Sequence, residues 1–339
     1  MAIEGASLVL TNKGLLPASG IRADQAIKCY THQGWQDVLA VKTEDLGAVR
    51  VTTELGNSLC VESTQKFMIR SAKGIKPVSL SHLSRGDKVT LLTGENVSIK
   101  YLPSVAVERD DGRLVNGHFT AVLACFVAFC VSRGSFDGST IKFQLSGRQT
   151  GLAILFNQML RTEGFEKGEI SVVTRGEAYT YTIADPKVFQ WLTTNGFLDR
   201  TSVIPQFLLT SPLEAISGFL VGYLLGTHQT TQSYRVNFPT LEDASLFQRL
   251  LFRQSIITRL DDVAVVVEHE RARAEFDRVF AAAKICPHLF TIVERTEPFQ
   301  QFYETKITNL EMVKGLQSLY RFQVDEVGVL SANGYYVAG

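Results

Sequence analysis

A chain of 339 residues is too long for one average domain, so two domains, or one domain interrupted by another, are expected. Hydrophobic residues make up 45% and charged residues 20%, with 26 Gly against 9 Pro, which excludes a disordered or low-complexity chain. The 34 basic side chains balance 34 acidic ones, so total charge advertises neither a nucleic acid nor a membrane surface as partner.

Five cysteines (Cys29, Cys60, Cys125, Cys130, Cys286) form no Cys-x-x-Cys pair. Their odd number speaks against a disulfide framework and a zinc site, and a reducing cytoplasm is the expected location. The most apolar runs, "FTAVLACFVAFCV" and "ISGFLVGYLLG", are shorter than the roughly 20 residues that cross a bilayer. With no basic-then-apolar segment opening the chain, both runs read as buried core helices and no membrane partner is expected.

Along the first hundred residues "ASLVLT", "AIKCYT", "VLAVKT", "AVRVTTE", "SLCVES", "KFMIRS" and "LSRGDKVTLLT" alternate in polarity between Gly, Asn and Asp turns, the pattern of an all-β unit. From about residue 115 helical segments separated by paired strands take over, and β texture returns with "LYRFQV" and "YYVAG". The expected parse is a β unit over 1–105 and 305–339, interrupted by an α+β unit over 106–304.

The interrupting unit repeats itself. Apolar helix 117–131, strand "IKFQLS", helix "TGLAILFNQMLRTEGF", strands "ISVVT" and "YTYTIA", and helix "PKVFQWLTTNGF" make the first copy, about 115–200. Helix 213–226, strand "SYRVNF", helix "LEDASLFQRLLFRQ", strands "ITRL" and "VAVVV", and helix "ERARAEFDRVFAAA" make the second, about 201–285. The first helix of each copy is apolar nearly all round and rich in small residues, as expected of two helices packed closely at the centre of a pseudo-dimer.

"IPQFLLTSPLEAISGFLVGYLLGT" resembles the second signature helix of a LAGLIDADG homing endonuclease, and "FTAVLACFVAFCVSRGSF" the first. An endonuclease inside a β unit is the layout of an intein. "GASLVLTNKGLLPASGI" is similar to the opening intein block, "GNSLCVESTQKFMIRSAKG" with "LSRGDKV" to the second, and "LYRFQVDEVGVLSANGYYVAG" to the closing blocks. The resemblance implies an all-β Hint (horseshoe-like) splicing domain interrupted by an α+β LAGLIDADG pseudo-dimer. It implies autocatalytic protein splicing, flanking host-protein segments as partners in the precursor, and a monomer located wherever the host resides. It also implies that the last strand lies beside the first, because splicing joins the flanking segments.

Carried over position by position, the splicing nucleophile falls on Ala2 and the Thr-x-x-His on Glu62-Ser63-Thr64-Gln65, with Lys66 one register away. The closing-block acid and His fall on Arg321 and Gly328, and the C-terminal His-Asn on Ala338 and Gly339. Splicing asks these positions for nucleophilic attack and for general acid and base. Alanine has no attacking atom, and a Gln donates a hydrogen bond but transfers no proton. Cys60 is a second nucleophile candidate, for which a buried structural thiol is the simpler reading.

The endonuclease carboxylates, which hold Mg2+ in active members of the family, fall on Arg133 and Thr227, and neither replaces a carboxylate ligand. No metal or other cofactor is therefore expected in this chain. Residues 101–300 carry 19 Lys and Arg against 21 Asp and Glu, so double-stranded DNA is expected to bind weakly if it binds. Asp110 and Asp111 read as linker, and His118, His228 and His269 as single histidines. The expectation is an intein with a homing-endonuclease-like insert, both activities disabled, either by engineering at Ala2 and the chain end or by descent. The alternatives are a domesticated structural insert and a DNA-binding protein without cleavage.

Overall fold

The computed structural model describes residues 2–22, 26–31, 34–45, 47–94, 104–108, 114–118, 120–174, 178–198, 202–227, 234–268, 270, 272–277, 301–324 and 329–338. Backbone contacts divide the chain into two units. One comprises Met1–Ile99, Ala244–Ala272 and Glu297–Gly339, the other Lys100–Asp243 and Arg273–Thr296.

The first unit begins with short strands: β1 (Ala2–Glu4), β2 (Leu8–Thr11), β3 (Gly14–Pro17), β4 (Lys28–Thr31), β5 (Gly34–Asp45), β6 (Val49–Thr53), β7 (Ser58–Val61), β8 (Lys66–Ser71), β9 (Gly74–Ser79) and β10 (Lys88–Thr93). Each run singled out for alternating polarity lies on one of them. Three strands are not marked in the sequence by such alternation: β1, β3 and β9. Strand β9 carries Pro77 and pairs only with β8, the edge position where a missing N–H is tolerated.

The second unit opens with a hairpin of β11 (Ser104–Glu108) and β12 (Leu114–His118), followed by helix α1 (Ala121–Arg133). Thr120 caps α1 by accepting from Leu123 N at 3.2 Å. Strands β13 (Ser135–Asp137) and β14 (Thr140–Ser146), helix α2 (Thr150–Thr162), strands β15 (Glu169–Thr174) and β16 (Ala178–Ile183) and helix α3 (Pro186–Thr194) follow, the strands forming a sheet in the order β13-β14-β16-β15. One sheet face buries Phe143 and Tyr181 against Phe126, Phe129 and Phe156 of α1 and α2, with ring centroids 5.2–6.4 Å apart. The Tyr181 hydroxyl donates to Asn157 Oδ1 at 2.8 Å, which satisfies its polar end inside that core.

Helix α4 (Leu213–Gly226) packs along α1 with its glycines turned to the contact. A Cβ on Gly218 would meet Ala121 O, on Gly222 Cys125 O and Ala128 Cβ, and on Gly226 Ser132 Oγ. Residues four apart share a helix face, so three glycines at that spacing let the two backbones approach closely. Beyond α4 come β17 (Arg235–Asn237) and α5 (Leu241–Arg253). Near the start of α5 the buried Asp243 accepts from Ser202 Oγ at 2.6 Å, Val203 N at 2.9 Å and Thr240 Oγ1 at 2.7 Å.

The rest of α5, with β18 (Arg259–Asp261) and β19 (Ala264–Val266), groups with the first unit, although the repeat pattern counts these residues in the second copy. Hydrogen bonds explain the grouping. Gln248 Nε2 donates to Leu55 O at 3.0 Å, Leu260 N to Leu55 O at 2.8 Å, and Gly94 N to Phe252 O at 2.8 Å. Of the last helix of the second copy, residues 270 and 272–277 are described, and they are helical.

The chain then completes the β unit with β20 (Gln301–Met312), β21 (Gln317–Val324), β22 (Val329–Ala332) and β23 (Tyr335–Ala338). The strand order is β10-β20-β6-β7-β1-β21-β5-β4-β2-β22-β23-β8-β9, and β10 also meets β23 at Leu91↔Tyr335. Late strands therefore pair with early ones throughout. Tyr335 is fully buried, packs edge-on against Phe67 at 5.8 Å, and donates its hydroxyl to Asn57 O at 2.8 Å.

Candidate functional site

The antiparallel register of β1 sets Ala2 opposite Arg321, Ile3 opposite Tyr320 and Glu4 opposite Leu319 on β21, while Ile3 pairs with Val61 on its other side. The chain leaves β7 at Val61 and turns through Glu62–Gln65 before entering β8. Glu62 N donates to Ala2 O at 3.1 Å, and Gln65 N to Glu62 O at 3.0 Å. On the far side of that turn β8 pairs with β23, with Lys66 opposite Ala338. Ala2 and Ala338 thus flank one four-residue turn.

The side chains follow from this backbone. Ala2 is fully buried and packs with Ala48, Cys60 and Leu319. Gln65 is 2% exposed, and its Nε2 donates to Ala338 O at 2.5 Å and to Lys66 O at 2.9 Å, while its buried Oε1 has no partner among the described residues. Arg321 Nη2 donates to Glu62 Oε2 at 3.0 Å. Of the residues named from the sequence, Ala2, Glu62, Gln65, Arg321 and Ala338 come together, and Gly328 and Gly339 lie outside the described residues. Lys66, the alternative register for Gln65, is exposed.

Chemically, the cluster holds the methyl group of Ala2, which can neither attack nor titrate, and the carboxamide of Gln65, which donates a hydrogen bond but transfers no proton. Its one carboxylate is engaged by a guanidinium. Cys60 lies in the same apolar cluster as Ala2, is 1% exposed, and is not in a disulfide.

In the second unit Arg133 ends α1 and Thr227 follows the last residue of α4. Arg133 Nη1 lies 3.5 Å from Gln149 Oε1, and Gln149 Nε2 donates to Leu225 O at 3.1 Å. Gln149 therefore links the ends of the two helices, a role no sequence signal marks. The Thr227 hydroxyl donates back to Tyr223 O at 3.0 Å. Burial moves the Arg133 guanidinium below its ordinary value, but it remains a cation. A cation and a hydroxyl tied to its own helix do not fit the divalent metal that the endonuclease resemblance implies there. His228, His269, Cys286, Asp110 and Asp111 lie outside the described residues, and His118 ends β12. Among the described residues no helix is long and apolar enough to cross a membrane.

No family model matches the sequence, and no curated protein does. Among solved structures, the chain is similar to the gp41-1 intein at 18% identity, covering 33% of this chain and 71% of that one, with a TM-score of 0.22. It is similar to a variant of the Ssp DnaB mini-intein at 19% identity, covering 26% of this chain and 63% of that one, with a TM-score of 0.23. It is also similar to I-DmoI, solved in complex with its target DNA, at 12% identity, covering 48% of this chain and 97% of that one, with a TM-score of 0.36. The structural neighbours are inteins and a homing endonuclease.

Proposed function

We propose that the chain is an intein or an intein-derived element, a Hint splicing-type β unit carrying a LAGLIDADG-type insert, in which neither the splicing centre nor the cleavage centre retains its chemistry. The observation that carries this reading is the meeting of Ala2, Glu62, Gln65, Arg321 and Ala338 around one turn. Among the described residues strands β1 and β23 are not paired with each other, as the resemblance would have them side by side, but the turn between β7 and β8 bonds to both, through Glu62 N to Ala2 O and Gln65 Nε2 to Ala338 O.

The test restores chemistry stepwise. With a reporter segment fused ahead of Ala2, Ala2→Cys supplies a thiol and Gln65→His a proton donor. The double variant is expected to release the reporter on addition of an external thiol, at least about a hundredfold faster than Ala2→Cys alone, the usual size of a general acid contribution. Absence of release from a double variant that melts like the parent would overturn the reading.

Cleavage-free DNA binding is the second reading. The sheet face turned away from the aromatic core presents Lys142 and Gln144 opposite Thr182 and Thr180, groups that can hydrogen-bond to base edges. With 19 basic against 21 acidic residues over 101–300, counterion release is small and affinity is expected at the non-specific level of about 10⁻⁴ to 10⁻⁶ M. A gel-shift selection on a randomised duplex library decides it: a site bound at nanomolar concentration would replace the first reading.

A further inference from the structure

We propose that the β unit holds a binding site for a small oxyanion, phosphate or carboxylate, in a cavity between α5 and the turn that joins β22 to β23. This inference stands independently of the splicing reading.

The cavity, of about 30 Å³, is closed on one side by leucines of β2, β3 and β10 and on the other by Arg249, Phe252 and Arg253 of α5 and by Ser331, Asn333 and Gly334. The spacing of the three α5 residues puts them on one helix face. Arg249 is 5% exposed and Arg253 3% exposed, so two guanidinium groups one helical turn apart are brought into the same buried wall. Among the described residues, no Asp or Glu lines the cavity.

Arg249 has one hydrogen bond among the described residues, to Asn333 O, and its guanidinium lies 5.8 Å from the Phe252 ring centre. A guanidinium carries five N–H donors. A side chain needed only to clamp Asn333 would spend one of them, and the turn hardly needs the clamp. Asn333 and Gly334 both have positive φ, 49° and 80°, as a two-residue hairpin turn requires, and Asn333 is already fixed through Leu8 N at 2.8 Å and Ser58 O at 2.9 Å. Burial pulls the Arg249 guanidinium down to about 10, and the nearby Tyr335 opposes the fall. The buried Arg249 guanidinium, with donors to spare and no carboxylate among the described residues of the wall, is stabilised by an anion that takes those donors. The volume suits one oxyanion group. The Ser331 hydroxyl, on the same wall, adds a neutral donor.

The full chain is titrated calorimetrically with inorganic phosphate, acetate and chloride at constant ionic strength, with thermal unfolding followed in parallel. Saturable binding of one phosphate or acetate per chain is expected, with a rise in Tm that chloride does not give. The stronger of the two ligands identifies phosphate or carboxylate as the source. Arg249→Met is expected to weaken binding by roughly 10- to 100-fold, the size of a lost charged hydrogen bond. Arg253→Met and Ser331→Ala, which leave the Asn333 contact in place, are expected to weaken it as well, and they decide the matter if Arg249→Met does not fold. Equal response to all three anions, or phosphate and acetate binding unchanged in these variants, would overturn the proposal.

Discussion

The turn at Glu62–Gln65 and the packed pair of helices α1 and α4 are held together in different ways. At the turn the side chains bond to one another and to the strands: Arg321 to Glu62, and Gln65 to Ala338. Along α1 and α4 the geometry rests on three glycines that let the two backbones approach closely, with Gln149 bridging the helix ends. The first site is polar and local, the second steric and continuous along two helices. The same substitution strategy should therefore have very different effects in the two units.

The largest expected effect is steric. A valine at position 222 would drive its Cβ into Cys125 O and Ala128 Cβ, and helix backbone cannot rotate aside as a side chain can. Gly222→Val is expected to destabilise the second unit by about 3 kcal/mol or more, at the upper end for overpacking. Calorimetry should show a lowered transition for this unit and an unchanged one for the first. Tolerance of valine would break the contrast.

Alkaline pH is the next lever. Burial pushes the Cys29 thiol up to about 12, and burial likewise raises Cys125 and Cys130 of α1 above the ordinary thiol value. Because these thiols are harder to ionise folded than unfolded, their contribution is fully present below about pH 9. It is lost as pH rises from there towards 12, by on the order of 1 kcal/mol per pH unit per thiol. Two such thiols lie in α1, so the urea midpoint of the second unit should fall as pH rises from about 8.5 to 10.5. Cys125→Ala with Cys130→Ala should flatten that fall.

Gln65 supplies a smaller effect. Gln65→Ala removes the donor to Ala338 O and leaves that buried carbonyl unpaired, for an expected loss of about 1–3 kcal/mol in the first unit. Gln65→His, which can still donate, should recover most of it. If alanine and histidine melt alike, the side chain is not what ties the closing strand to the turn.

Much of this architecture was legible in the sequence because it is written in local pattern. The alternating runs mark β2, β4–β8 and β10, and the near-uniform apolar character of 117–131 and 213–226, rich in small residues, marks two core helices, the first of which begins at Ala121. What was not legible depends on contacts between residues far apart in the chain. Strand β1 is three residues long and exists because β21 and β7 receive it. The ion pair of Glu62 with Arg321 spans 259 positions, and the grouping of 244–272 with the β unit comes from Gln248 reaching Leu55, 193 positions away. Gln149, which ties the helix ends together, closes a capping box with Ser146, a local pattern that says nothing of its reach to Leu225.

The smallest expected effect belongs to that ion pair. Arg321 is 52% exposed at its side chain and Glu62 15%, so the 3.0 Å contact stands in partly solvated surroundings where charge attraction is screened. Glu62→Ala and Arg321→Ala should each cost less than about 1 kcal/mol, and the double variant should show a coupling of a few tenths. Raising the salt concentration should erase that coupling while leaving the Gln65→Ala effect untouched, because the buried amide bond is not an ionic one. A coupling of several kcal/mol that persisted in high salt would place the pair in the core of the site, and the turn would then be as rigidly built as the helix pair.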